Sequence, residues 1–267
     1  MKRVTAFVGS PRKKHTHDAV HQFLGNLQSL GEVEYEIVHL SDHRVERCQG
    51  CCVCFIKGEE FCPFKDDDRN LLIEKMLTSD GVIFASPTYS FQVSAVMKTF
   101  LDRVGFVFHR PRLFGKTFTS IVVEGIYGGK KVAEYLDFVG GGLGFNVVEG
   151  SCVNILEPMT ERDRRKLDRI LAAHSKRFHD GLSQSPFPIP TLLHLMLFNK
   201  ARTSIRNMLD DTYRDYVYYR DKGWFESDYF YPVRLNPLKK AAGRLLDYSM
   251  SRSGRRQSGT VTTTPRS

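Results

Sequence analysis

The chain has 267 residues, 41% hydrophobic and 26% charged, the balance of an ordinary globular protein with one large domain and room for an appendage. That composition excludes collagen, coiled coil and wholesale disorder, and no apolar run approaches the roughly 18 residues of a membrane span. The formal charge is +9, and residues 251–267 contribute four arginines (Arg252, Arg255, Arg256 and Arg266) with no acid, while the other Lys and Arg are interspersed with acids as on a solvated surface. Neither a nucleic-acid groove nor a membrane contact is expected. Met1-Lys2-Arg3 leads directly into a short apolar run ended by Gly9, unlike a secretory signal, so the expected location is the cytoplasm.

Apolar periods alternate between strand and helix through the first two-thirds of the chain, and the strands read as continuous buried runs, which favours a parallel sheet. Val4 to Val8 is the first strand; the loop Gly9 to Thr16 leads to a helix facing inward through Val20, Phe23, Leu24 and Leu27. Val33 to Leu40 alternates as a second strand. An irregular stretch from Ser41 to Asp68 follows, with Asp66-Asp67-Asp68 expected as N-cap and first-turn anions of a helix bearing Leu71, Leu72, Met76 and Leu77. Ser79-Asp80-Gly81 then turns into a third strand, Val82 to Ala85. From Ser94, the spacing of Val96, Met97, Phe100, Leu101 and Val104 is helical, and His109 beyond it reads as a cap or surface residue.

Phe118 to Val123 and Val147 to Val153 are the fourth and fifth strands, separated by a helix from Lys130 to Phe138 that Gly140-Gly141-Gly142 is expected to close. Thr160 to Leu182 is an amphipathic helix through Leu167, Ile170, Leu171 and Phe178. Prolines 186, 188 and 190 end that regime. A helical segment from Leu192 to Arg220, an aromatic-rich turn read as a satellite core, and a last helix from Leu238 to Ser249 follow. The predicted organisation is an α/β domain over residues 1–184, a helical extension over 185–250 and a disordered basic tail over 251–267.

The loop Gly9-Ser10-Pro11-Arg12-Lys13-Lys14-His15-Thr16 joins a strand to a helix N-terminus with hydroxyls and positive charge, the parts of an anion cradle. Neither GxxxxGK[ST] nor GxGxxG is present there, so nucleotide readings built on those motifs drop out; a plain strand-to-helix turn is the competing reading. Two further loops carry matching chemistry. Ser86-Pro87-Thr88-Tyr89-Ser90 follows the third strand with a stiff backbone and an aromatic plane. Gly125-Ile126-Tyr127-Gly128-Gly129 follows the fourth, with glycines that admit close backbone approach.

Taken in order, GSPRKK, SPTYSFQVSAVMKTFLDR and GIYGGKK resemble the NAD(P)H-dependent FMN reductases of the flavodoxin-like superfamily, particularly the iron-sulfur flavoprotein branch, over roughly residues 3–180. The resemblance implies a doubly wound, five-stranded parallel sheet of order 2-1-3-4-5 and FMN bound at its switch point. It further implies Ser10, Arg12 and Thr16 around the phosphate, and Ser86, Pro87, Thr88, Tyr89, Tyr127 and Gly128 around the ring. The family's phosphate loop commonly ends in Asn-Thr where this chain has Thr16-His17, so His17 is either a phosphate partner or a first-turn residue. NADPH or NADH as co-substrate, or a ferredoxin-type donor, a small-molecule or protein acceptor, and a homo-oligomer are the implied partners. A non-enzymatic electron carrier like flavodoxin is the alternative.

Five of the six cysteines lie between Cys48 and Cys62, a crowding that indicates a metal centre or redox chemistry rather than a disulfide framework. Cys48, Cys51, Cys54 and Cys62 are spaced C-x2-C-x2-C-x7-C, which can turn successive thiolates toward a four-iron four-sulfur cluster; zinc and packed thiols without metal remain open readings. Cys52 is an additional candidate ligand, and Cys152 reads as a small core residue. Zinc without flavin, together with a nucleic-acid-binding basic tail, would define a third, non-enzymatic reading.

Overall fold

The structure is a computed structural model describing residues 1–237 and 239; the expected last helix, Lys239 apart, and the basic tail lie outside the described residues. The chain divides into two units, one of Met1–Cys51 with Phe64–Pro186, the other of Cys52–Pro63 with the chain from Phe187 onward. Among the described residues no helix is long and apolar enough to cross a membrane.

The first unit is built on a parallel sheet with the path β2-β1-β3-β4-β5: β1 (Lys2–Val8), β2 (Val33–His39), β3 (Gly81–Pro87), β4 (Thr117–Glu124) and β5 (Asn146–Val147), with β6 (Ser151–Asn154) also pairing β4. All seven residues of β3 are buried, as are those of β1 from Val4 on, because helices cover both faces. Registers Val8↔Ala85 and Pro87↔Val123 align the C-terminal ends of β1, β3 and β4. This is the 2-1-3-4-5 order expected for a flavodoxin-like sheet, with its switch point between β1 and β3.

On one face, α1 (His15–Gln28) and α7 (Glu161–Leu182) pack Val20, Phe23, Leu24, Leu27, Leu171 and Phe178 against Val4, Ala6, Val8, Ile83 and Ile121. On the other, α4 (Ala95–Arg103) brings Phe100 against Phe7 and Phe84 at ring separations of 5.6 and 5.8 Å, and Phe84 meets Phe118 edge-on at 5.0 Å. The remaining helices of this unit are α3 (Arg69–Leu77), α5 (Phe106–His109), where His109 is exposed, and α6 (Gly129–Leu143).

Four local expectations are corrected. The fifth strand is two pieces: β4 advances three residues from Phe118 to Ile121 while its partner advances four from Val147 to Ser151, a one-residue bulge. Gly150 sits in it and donates its N–H to Asp137 Oδ2 at 2.8 Å. The glycine triplet does not close α6 but lies inside it, because a Cβ at Gly140 would overlap the Phe118 ring; the helix ends at Gly144, φ +104°. α3 turns inward Leu72, Ile73 and Met76, leaving Leu71 exposed. Asp68 is its N-cap position but makes no side-chain cap bond; Asp67 Oδ1 instead accepts from Arg69 N at 3.3 Å. Asp67 Oδ2 also forms an ion pair with Arg103 at 2.7 Å, both side chains 3% exposed.

In the second unit, α2 (Val53–Ile56) is a single turn, and the long helix expected from Leu192 is two, α8 (Leu192–Met208) and α9 (Arg214–Asp221). They part where Asp210 Oδ1 accepts from Thr212 N at 2.9 Å, a local bond that competes with the helix. Trp224 meets Tyr219 and Phe230 edge-on at 4.9 and 4.8 Å and donates its Nε1–H to the Phe230 carbonyl, so the aromatic-rich turn forms a packed core within this unit.

Candidate functional site

Three loops leave the sheet side by side at the C-terminal ends of β1, β3 and β4, and backbone bonds from Gly9 N to Ala85 O and from Thr88 N to Val123 O, both 2.8 Å, extend the ladder into them. In the first loop Ser10 is buried, and its hydroxyl donates to Arg12 O at 2.7 Å and accepts from Arg12 N at 3.3 Å, folding a tight turn. Arg12, Lys13 and Lys14 are exposed, Thr16 is buried and His17 half-buried. Lys14 at the N-cap of α1, a fourteen-residue helix, provides no capping side-chain bond, and Asp18 is the acid of its first turn. His17 Nδ1 lies 3.1 Å from His39 Nε2 at the end of β2.

The second loop begins with a scaffold. Ser86 is fully buried, its hydroxyl donating to Pro87 O at 2.9 Å and accepting from Ser94 N at 3.0 Å. Ser94 caps α4 by accepting from Met97 N and donates its hydroxyl to Gly9 O, tying the first loop to the second. Ser86 thus shapes the crevice through its buried hydroxyl, and Pro87, the last residue of β3, is buried as well. Thr88 is different: its Oγ1 is buried and has no hydrogen-bond partner among the described residues. Tyr89 is exposed and exchanges backbone bonds with Gln92 around Ser90 and Phe91, both at positive φ, +48° and +62°. Positive φ at two consecutive non-glycine residues is strained, and here it lifts the Phe91 ring outward.

In the third loop Tyr127 is 67% exposed, with its ring 5.4 Å from that of Phe91. Gly128 follows at φ +98°, where a Cβ would stand 2.7 Å from Phe91 Cδ1, so both conformation and space demand glycine. Glu124 Oε2 accepts from Gly129 N at 2.7 Å, and Asn154 Nδ2 donates to Gly125 O at 2.6 Å, anchoring both ends of the loop. Cys152 is half-buried beside Glu124; burial, then that carboxylate, pushes its thiol up to about 12, which makes it inert.

Phe91, Ser94, His39, Glu124 and Asn154 are absent from the sequence-derived set. Phe91 had a local signal, an aromatic next to Tyr89-Ser90 in the second loop, and Glu124 bonds Gly129 only five residues on; Ser94, His39 and Asn154 act through partners distant in sequence. The arrangement fits a phosphorylated flavin. An uncapped helix end with Ser10, Arg12 and Thr16 suits a phosphate, and an orphaned buried hydroxyl at Thr88 next to exposed Tyr89, Phe91 and Tyr127 suits a polar-edged aromatic ring.

The cysteines stand otherwise. Cys48, Cys51 and Cys52 are exposed, Cys54 is half-buried and Cys62 buried. Cys52 takes φ +57° and opens α2. The approach to Cys48 is held by the aspartate run: Asp68 Oδ2 accepts from Arg44 N at 2.8 Å and Asp67 Oδ2 from Glu46 N at 3.1 Å. Among the described residues no three His, Cys, Asp or Glu side chains are gathered as a metal-binding group.

Residues 2–157 match the family model described as NADPH-dependent FMN reductase. An iron-sulfur flavoprotein of Archaeoglobus fulgidus is 32% identical over 235 residues, covering 83% of this chain and 99% of that protein. A second iron-sulfur flavoprotein of the same organism is 34% identical over 134 residues, 50% of this chain and 63% of its own length. The solved structure of RosB with bound 8-demethyl-8-formylriboflavin-5'-phosphate aligns with a TM-score of 0.54 at 16% identity, covering 89% of this chain and 92% of that one, a likeness of fold. With the sheet order and the three loops, these matches establish that the chain belongs to the NADPH-dependent FMN reductase family, in its iron-sulfur flavoprotein branch.

Proposed function

We propose that the protein is an FMN-dependent oxidoreductase that takes electrons from NADPH or NADH, or from a ferredoxin-type donor, and passes them to a small-molecule or protein acceptor. The observation that carries this reading is the uncapped N-terminus of α1, with Ser10, Arg12 and Thr16, set beside the orphaned Thr88 hydroxyl and the Phe91–Tyr127 ring pair. FMN, when bound, supplies two-electron acceptance and one-electron release. The chain does the rest. Arg12 and the first-turn N–H groups of α1 hold the phosphate; the Thr88 hydroxyl holds a polar ring edge; Tyr89, Phe91 and Tyr127 shield the ring from water. Backbone N–H groups of the Gly125–Gly128 stretch oppose negative charge on the reduced ring, whereas Gly129 N–H is already held by Glu124.

The spacing of Cys48, Cys51, Cys54 and Cys62 and the printed name of the relatives support a further part of the proposal, an iron-sulfur cluster on these four thiolates. The test is anaerobic purification with flavin, iron, sulfide and zinc measured together, followed by NADH and NADPH oxidation. FMN with nicotinamide oxidation is the expected result, and iron with sulfide supports the cluster. A chain that takes up no FMN refutes the proposal, flavin without iron refutes the cluster, and flavin without nicotinamide oxidation refutes that choice of donor.

A further inference from the structure

The His17–His39 contact determines more than proximity. A bond between two neutral imidazoles needs one N–H donor and one bare nitrogen, so the 3.1 Å separation between His17 Nδ1 and His39 Nε2 admits two arrangements. If His17 Nδ1 donates, His39 must carry its own proton on Nδ1, which is buried and without a hydrogen-bond partner among the described residues. That arrangement buries an unpaired N–H and puts both rings in the less favoured Nδ1–H form. If His39 Nε2 donates instead, both rings take the favoured Nε2–H form and only a bare ring nitrogen is left in the interior. A proton added to His39 is resisted: burial, then His17 and Lys13, hold it below the usual imidazole range, against a smaller upward pull from Asp42. Lys13 itself is paired with Asp42 at 3.1 Å, and the His21 ring, one turn along α1, is 6.2 Å from that of His17.

We propose that His39 locks His17 with its proton on Nε2, so that His17, the third residue of α1, offers that N–H to the phosphate of FMN. The proposal rests on the FMN reading above and adds a positioning residue, His39, on a strand outside the three flavin loops.

The experiment titrates the flavin-depleted full chain with FMN and with riboflavin, which differ only in the phosphate, in the wild type, H39F and H39Q. Ring-nitrogen NMR shifts report the tautomers, and thermal melting reports folding. H39F is expected to weaken FMN about tenfold or more with riboflavin unchanged, since a His17 ring without its partner is no longer held in place for its bond to a charged group. H39Q, whose side-chain amide N–H replaces the Nε2–H, is expected to restore most of the affinity, and both wild-type rings are expected to be Nε2-protonated. The proposal is overturned if His39 proves Nδ1-protonated, if H39F leaves FMN unchanged, or if H39F weakens both flavins alike. A wild type that binds neither flavin overturns the FMN reading itself, and this proposal with it.

Discussion

His174 should make the protein acid-sensitive, and replacing it should remove that sensitivity. The ring is fully buried between α7 and the sheet, with Thr119 Oγ1 2.6 Å from Nε2, Ser151 Oγ 2.7 Å from Nδ1 and the Phe23 ring 4.8 Å away. Burial, and secondarily the charge of Arg177, pushes its pKa down to about 3, against about 6.5 in the unfolded chain. The unfolded chain therefore binds the extra proton first. Stability from this site is complete above about pH 6.5 and declines as pH falls toward 3, by about 1.4 kcal/mol per pH unit, or about 2 kcal/mol by pH 5. Urea unfolding of the wild type and H174Q near pH 7.5 and near pH 5 isolates the effect, because the other titrating groups are common to both and Gln keeps one donor and one acceptor for the two hydroxyls. The wild type should lose about 2 kcal/mol more than H174Q between those conditions. Equal losses would refute the assignment of a neutral, buried imidazole.

Three substitutions probe the site and its scaffold. G128V forces a β-branched residue into φ +98° against Phe91 and should cost about 1–3 kcal/mol together with much of the bound flavin, read by melting and by flavin content after gel filtration. S94A removes the α4 cap and the hydroxyl bond to Gly9 O; about 1–2 kcal/mol should be lost in urea unfolding, with FMN bound more weakly. D67A removes the carboxylate from the buried Arg103 guanidinium, which keeps its bond to Phe64 O, and should cost about 3–5 kcal/mol; the double variant D67A/R103M should recover part of it, and a double variant no better than D67A would contradict a buried pair.

The loop after β1 was legible as a strand-to-helix turn because its residues are contiguous: Ser10, Arg12 and Thr16 lie within that one turn, and its backbone leaves little freedom in where they go. In the second loop nothing in Ser86-Pro87-Thr88 tells which hydroxyl is engaged by Pro87 O and Ser94 N and which, at Thr88, has no partner among the described residues. The bulge at Gly150 and the glycines inside α6 were hidden for a related reason. Each answers to one distant group, Asp137 for the first and the Phe118 ring for the second.

Periodicity and local chemistry alone determined where the main strands and the helices that cover them lie, because burial on both faces leaves a mark in every residue of a parallel strand, whereas the 2-1-3-4-5 order followed from the family resemblance of the three loops. Tertiary structure decided which polar atoms meet: His17 with His39 across 22 residues, Ser94 with Gly9 across 85, Asp67 with Arg103 across 36. A hydrogen bond requires its two atoms to lie within about 3 Å, and only the folded sheet brings together residues so far apart along the chain.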